Sequence, residues 1–229
     1  MSLLKKITNG IFKLFILPFK YKKGDDYNAE QYWQDRFAKY GSSLRAVGHE
    51  SLSESKNAEL YENAVKIIKN ELDHIIDSKD SSSLIEIGVG RGVFTDIIYN
   101  SFEVDYLGLD ITDFYFEELQ SKYKEFEFVK KDITEKLDLP ESDIVLFIDV
   151  IEHIVKKDKL LRCLQNIENT LKNDGYLFIS GYTHESSSKK LFYVKSWNLE
   201  DIIESTDTLE LVKEMPFRNN HLAVFKKSS

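Results

Sequence analysis

Cysteine occurs once in this chain of 229 residues, at Cys163. No intramolecular disulfide framework is therefore available, and the chain fits a reducing, cytoplasmic compartment. Cys163 falls inside a helical pattern, as a small buried filler rather than a nucleophile. Long apolar runs are also missing. The longest spans residues 11–19 and is interrupted by Lys13 and Pro18, well short of the roughly 20 residues a membrane span needs. No convincing small-residue cleavage site follows it, which argues against a secretory signal. Repeats and low-complexity tracts are absent.

Basic residues are scarce outside one end. The formal charge is −8, yet residues 1–24 hold six lysines and no acid, so the other 205 residues carry 25 basic against 39 acidic side chains. A body that acidic is a poor non-specific partner for nucleic acid, whose affinity comes mostly from phosphate neutralisation. The hydrophobic fraction of 42% and charged fraction of 31% are those of an ordinary globular chain.

Hydrophobic periodicity organises what remains. Residues 3–17 place Leu3, Leu4, Ile7, Ile11, Leu14 and Phe15 on one helical face with lysines opposite, and Pro18 is expected to end or kink that helix. A linker over 20–26 leads to a helix from Asn28 to about Tyr40, a loop over 41–55, and a longer helix over 56–76. Short apolar strands then alternate with helices: strands at 84–87, 106–110, 126–130, 143–148 and 176–180, the last preceded by a helix over 157–171 closed by Asn173-Asp174-Gly175. After a helix near 199–204 come strands at 209–214 and 221–226, joined by a turn over 215–220. Alternation at this spacing gives βαβ units. The expected fold is α/β, a five-strand parallel wind finished by an antiparallel pair. The expected domains are a basic amphipathic leader (1–24), an N-terminal helical cap (25–55) and the α/β domain (56–229).

The chemistry is concentrated after the first strand, in Glu86-Ile87-Gly88-Val89-Gly90-Arg91-Gly92. Glycines between a strand and a helix permit a sharp turn and a close ligand approach. The G-x-G-x-G spacing leaves Val93 where a dinucleotide fingerprint needs its third glycine, which disfavours an NAD-dependent oxidoreductase. Asp110 closes the second strand, 20 residues after Gly90, where a carboxylate can accept from both hydroxyls of an adenosine ribose. Asp132 follows the third strand, where a carboxylate can meet an adenine amino group.

On these residues a family resemblance stands out. LIEIGVGRGVFTDII resembles motif I of the class I S-adenosylmethionine-dependent methyltransferases, YLGLD their motif II and VKKDI their adenine-side motif. Asp149-Val150-Ile151-Glu152-His153-Ile154 is similar to the D-V-x-E-H motif of the branch containing quinone-biosynthesis enzymes. The resemblance covers about residues 60–227 and implies a Rossmann-like fold of seven strands with the final strand reversed, preceded by N-terminal helices. It implies S-adenosylmethionine as cofactor, with Gly88, Gly90 and Gly92 against its methionine and ribose and Glu86 supporting the loop. Asp110 and Ile111 would hold ribose and adenine, Asp132 and Ile133 the far edge of the base. Asp149 and Val150 would lie near the sulfonium.

His153 has two readings, a general base for a hydroxyl acceptor or a residue fixing its loop by a hydrogen bond; His184 and His49 are weaker bases. The proline-containing motif of base-amine methyltransferases is absent at 149–152, which favours oxygen or carbon acceptors. The expected acceptor is a small molecule, a glycan or a lipid-linked molecule. A rival sets Asp149, Glu152 and His153 on one metal ion, with His184 or His221 completing it, as in RNA 2′-O-methyltransferases. A second rival is a non-catalytic scaffold. The 3–17 segment could lie on an anionic membrane surface or dock on the domain. Tyr32, Trp33, Arg36 and Phe37 could cover the acceptor or be plain core.

Overall fold

In a computed structural model of the chain, residues 17–22, 27–76, 82–184 and 191–229 are described. The 3–17 helix therefore lies outside the described residues, Leu17 excepted. Pro18 lies in α1 (Leu17–Lys20), and the expected end or kink of the 3–17 helix falls outside the described residues.

α2 (Ala29–Tyr40) starts at Asn28, whose side chain accepts from the Gln31 N–H at 2.9 Å, and stops at Gly41. α3 (Glu54–Ile76) carries Leu60, Ala64, Ile68 and Leu72 on its buried face. The strands are β1 (Ser82–Ile87), β2 (Val104–Asp110), β3 (Glu127–Lys130), β4 (Ser142–Phe147), β5 (Leu171–Ser180), β6 (Leu209–Phe217) and β7 (Asn220–Lys227). Between them lie α4 (Val93–Ser101), α5 (Phe116–Lys122), α6 (Lys157–Thr170) and α7 (Leu199–Ile203).

The strands form one seven-stranded sheet in the order β3-β2-β1-β4-β5-β7-β6. β1 to β5 pair in parallel, and β7 runs antiparallel to both β5 and β6. The seven-stranded, mostly parallel sheet with a reversed final strand is thus observed. Parallel pairing puts the carboxyl ends of β1 to β4 on one edge, with the Gly88–Gly92 loop, Asp110, Asp132 and Asp149 together there. Open α/β sheets bind ligands at that edge.

Every residue of β4 is buried, as a central parallel strand covered on both faces requires. Its pleat divides it between two cores. Ile144 and Leu146 face Ile68, Leu72 and Ile98 of α3 and α4, while Val145 and Phe147 face Leu164 and Ile167 of α6. α6 supplies Leu160, Cys163, Leu164 and Ile167 as its apolar stripe, and Cys163 is fully buried, as expected of a filler. Phe37 and Ala46, from the N-terminal segment, join the core that covers the first face.

Two boundaries differ from the sequence expectation. β5 begins at Leu171 rather than Tyr176: Leu171 pairs with Ser142 before Lys172–Gly175 bulges out around Asp174 (φ 62°), and regular pairing resumes at Tyr176–Ile144. The β6–β7 turn is shorter than 215–220, because Phe217 already pairs with Asn220. Only Arg218 (φ 54°) and Asn219 span the turn.

Phe147 is the largest side chain of the central strand and fully buried. Phe147→Ala should lower unfolding free energy by about 3–5 kcal/mol with an unchanged slope in urea; a loss under about 1 kcal/mol would contradict this packing.

Candidate active site

The glycine loop is held by backbone and carboxylate together. The Gly88 N–H and Val89 N–H donate to the Leu109 carbonyl at 2.7 and 3.1 Å, and the Gly90 N–H donates to Asp110 Oδ2 at 2.9 Å. Gly88 and Gly90 have φ of 82° and 49°, and a Cβ on Gly88 would run into the Val150 side chain. Glycine is required at both for conformation and for space.

Beneath the loop, Glu86 is buried, and its Oε2 accepts from Tyr106 Oη at 2.6 Å and Thr95 Oγ1 at 2.8 Å. One carboxylate therefore ties β1, β2 and α4 together. Burial raises its pKa to about 7, against the pull of those two hydroxyls. Asp110 is raised as well, again by burial, with the Thr112 and Gly90 N–H groups opposing.

A cavity opens at this edge. Glu86, Gly88, Gly90, Asp110, Ile111, Asp132, Ile133, Asp149, Val150 and His153 all line it, together with Trp33, Phe37 and Tyr61. Gly92 does not. It caps α4 at φ 77°, and a Cβ there would run into the Leu119 side chain, so this glycine turns the chain into the helix.

The sequence of residues 85–179 matches the model of a methyltransferase-domain family. This stretch holds the loop, both strand-end acids and Asp149–His153. The matched segment is a methyltransferase-domain sequence, and the whole chain shares its fold with S-adenosylmethionine-dependent methyltransferases. No curated protein matches the sequence. Solved structures share the fold at low identity. The N-methyltransferase NodS from Bradyrhizobium japonicum WM9, solved with S-adenosyl-L-homocysteine, superposes with a TM-score of 0.64 at 14% identity over 88% of this chain and 100% of that one. Magnesium protoporphyrin IX methyltransferase from Synechocystis PCC 6803, solved with S-adenosylmethionine, gives 0.65 at 11% over 90% and 100%. The CurJ carbon methyltransferase gives 0.62 at 13% over 98% and 71%.

The donor set at this edge fits S-adenosylmethionine. Asp110 spends one acceptor position of Oδ2 on Gly90, and Oδ1 accepts from the Thr112 N–H at 2.9 Å. The Thr112 hydroxyl lies 3.4 Å from Oδ1 as well, so of the roughly four lone-pair sites of a carboxylate the remaining capacity, on Oδ2, is what a ribose hydroxyl can use. Asp132 Oδ1 accepts from the Thr134 N–H and hydroxyl at 2.8 and 2.7 Å, while the nearest cation to Oδ2, Lys159 Nζ, is 4.0 Å away. That leaves an acceptor for an amino group.

Asp149 is differently placed. It stands at φ 56°, a strained position for a non-glycine residue. Ser180 Oγ donates to its Oδ1 at 2.7 Å, and the Arg218 guanidinium, which lies over the Tyr61 ring, ion-pairs with Oδ2. Its charge is therefore largely answered by protein. Nothing in the sequence singled out Arg218, a turn residue that reaches the site only because β7 returns next to β5.

A second, more polar cavity adjoins the first and shares Trp33, Val47, Asp149 and His153 with it. Arg36, His49, Glu50, Glu152, Tyr193, Arg218 and Asn219 are among its other lining residues. His153 Nδ1 lies 3.1 Å from the Tyr193 carbonyl, which can only accept, so Nδ1 carries the proton and Nε2 the lone pair. Burial lowers its pKa to about 4, below the 6.5 on which a base role was reasoned. Nε2 faces Glu152 Oε1 at 3.5 Å. Burial and the neighbouring Asp149 charge push the Glu152 carboxyl well above the usual carboxylate range.

Of the helix α2 candidates, Trp33 lines both cavities, Arg36 the second and Phe37 the first, whereas Tyr32 packs face to face on Tyr193 at 4.8 Å. The metal set does not assemble as the rival required. Among the described residues, His184 and His221 converge on Glu214 instead of on Asp149, Glu152 and His153.

Glu86 generates a pH prediction for the cofactor-free protein. The fold favours its protonated form, so its stabilising contribution is complete below about 4.5 and lost as the pH rises through about 7. Wild type should lose stability relative to Glu86→Gln over that window, by an amount on the order of 3 kcal/mol. Parallel stability–pH curves for the two proteins would contradict the assignment.

Proposed function

We propose that this methyltransferase moves the methyl group of S-adenosylmethionine to a hydroxyl oxygen of a polar, polyhydroxylated small molecule such as a sugar, free or at the end of a glycan, seated in the second cavity. The observation that carries this reading is the Glu152–His153 pair, set at the wall between the two cavities with a carboxyl of raised basicity. The cofactor, when bound, supplies an activated methyl on sulfur; what remains is orientation, exclusion of water and removal of a proton.

Orientation of this kind can lower a barrier by several kcal/mol, up to ~7–11 in favourable systems. Gly88, Gly90 and Asp110 hold one partner at the strand edge. Trp33, Val47 and Asp149 form the common wall toward the other. A hydroxyl is a poor nucleophile until its proton leaves, so oxygen transfer needs a base within reach. Ionised Glu152 takes that proton. His153 is fixed by the Tyr193 carbonyl and packs beside Glu152, limiting where that carboxyl can lie; of its two possible roles, positioning is the better supported. The Asp149–Arg218 pair keeps the wall close to neutral, so it does not trap the sulfonium charge in the ground state.

The more polar lining of the second cavity, which includes His49, Asn219 and Asn220, suits a hydrogen-bonding acceptor better than a quinone. Residues 3–17, whose pattern suits a membrane surface, extend the class to lipid-linked glycans.

Labelled S-adenosylmethionine with a panel of sugars, glycolipids, quinols and amines tests this. The expected product is a base-stable methyl ether, formed faster as pH rises through the raised pKa of Glu152. Glu152→Gln should cut kcat at least ~10²-fold while S-adenosylhomocysteine affinity stays within about threefold. A methylated nitrogen or carbon, or an unchanged kcat, would overturn it.

A further inference from the structure

Away from both cavities, at the far side of the reversed strand, three metal-ligating side chains meet. Glu214 lies on β6, His221 beside it on β7, and His184 on the segment after β5. One donor atom from each lies within 4.8 Å of the others. His184 Nε2 is 2.7 Å from Glu214 Oε1, and the two imidazoles stand edge to face with centroids 4.7 Å apart. The cofactor site and the proposed transfer use none of these side chains.

We propose that His184, Glu214 and His221 form a binding site for one divalent transition-metal ion, zinc foremost. Two neutral imidazoles and one carboxylate are a recurring zinc ligand set, and they leave a fourth position for water. A second observation is independent of this clustering: His221 Nδ1 is buried and has no hydrogen-bond partner among the described residues. A buried ring nitrogen without a partner is costly, and a metal ion coordinated by that nitrogen would supply the missing partner.

The carboxylate also has the outer support expected of a ligand. Tyr182, fully buried, donates from its hydroxyl to Glu214 Oε1 at 2.6 Å, which fixes the carboxylate's orientation. Tetrahedral zinc with bonds of about 2.0–2.1 Å sets its ligands about 3.4 Å apart, so the His184–Glu214 pair must part from 2.7 Å and any wider separation, at most 4.8 Å, must close. His184, whose side chain is 40% exposed, has the freedom to do so. The exposed side of the cluster supplies both the entry path and the place for water.

The ion would clip the segment after β5 to the hairpin whose turn carries Arg218. It serves as a structural fastener of the sheet's reversed edge.

The test uses tag-free, full-length protein freed of metal by a chelator and titrated with Zn²⁺ against a chromophoric competitor, then with Co²⁺ for its visible ligand-field bands. One equivalent should bind per chain and raise Tm. His184→Ala and Glu214→Gln should each weaken binding more than ~10-fold, and Tyr182→Phe by about 10-fold with stoichiometry kept. His184 is exposed, so His184→Ala should keep the wild-type far-UV spectrum. Failure of folded wild type to bind one equivalent, or equal affinity in His184→Ala and Glu214→Gln, would overturn the site.

Discussion

The hydrogen bond from the Gly90 N–H to Asp110 Oδ2 is the contact on which the binding edge depends. It joins the loop after β1 to the last residue of β2, so the loop cannot move without the strand. Because the bond uses a backbone donor, no side chain has to occupy the space where a ligand must come close. The same carboxylate also lines the cavity. Glu86 repeats the logic one layer down, where Tyr106 and Thr95 lock a buried carboxyl between β1, β2 and α4. Two acids thus turn a flexible glycine run into a preorganised cradle, which costs stability at neutral pH and returns it as geometry.

A second node sits across the edge. Asp149 is held at φ 56° by Ser180 and Arg218. Strain of this kind persists only where the surroundings over-determine it. Here three strands contribute: β4 leads into Asp149, β5 brings Ser180, and the β6–β7 turn brings Arg218. The reversed strand therefore matters to function. By returning antiparallel next to β5, β7 carries the Arg218 turn to the edge where the parallel strands end.

Much of this was legible in the sequence, for identifiable reasons. The glycine loop, Asp110 and Asp132 are local signals: strand ends and turns whose residues announce their backbone needs within a few positions. The strands were legible because their apolar runs are short and bounded, and the reversed final strand was part of the resemblance; the order of the strands came only from the structure. What sequence could not supply was long-range. Arg218 meets Asp149 across 69 residues, and nothing near Arg218 marks it. Nor does spacing show that His184 and His221 turn away from His153 toward Glu214, because that depends on which side of β7 each residue faces. Gly92 shares the positive φ of Gly88 and Gly90 and also caps a helix, which spacing alone does not show. His153 stood in a motif that suggests a base, and only its burial against the Tyr193 carbonyl reveals a neutral, weakly basic ring.

The central claim is that the glycine loop and Asp110 together hold S-adenosylmethionine. It is tested most directly by calorimetric titration of wild type and Asp110→Ala with S-adenosylmethionine, S-adenosylhomocysteine and NAD. Wild type should bind one equivalent of either sulfur ligand and no NAD. Asp110→Ala, which removes both the loop anchor and the ribose acceptors, should weaken binding about 100-fold or more, since each charged hydrogen bond is worth about 1.5–3 kcal/mol. No binding by folded wild type, binding of NAD in their place, or equal affinity in Asp110→Ala would contradict the account.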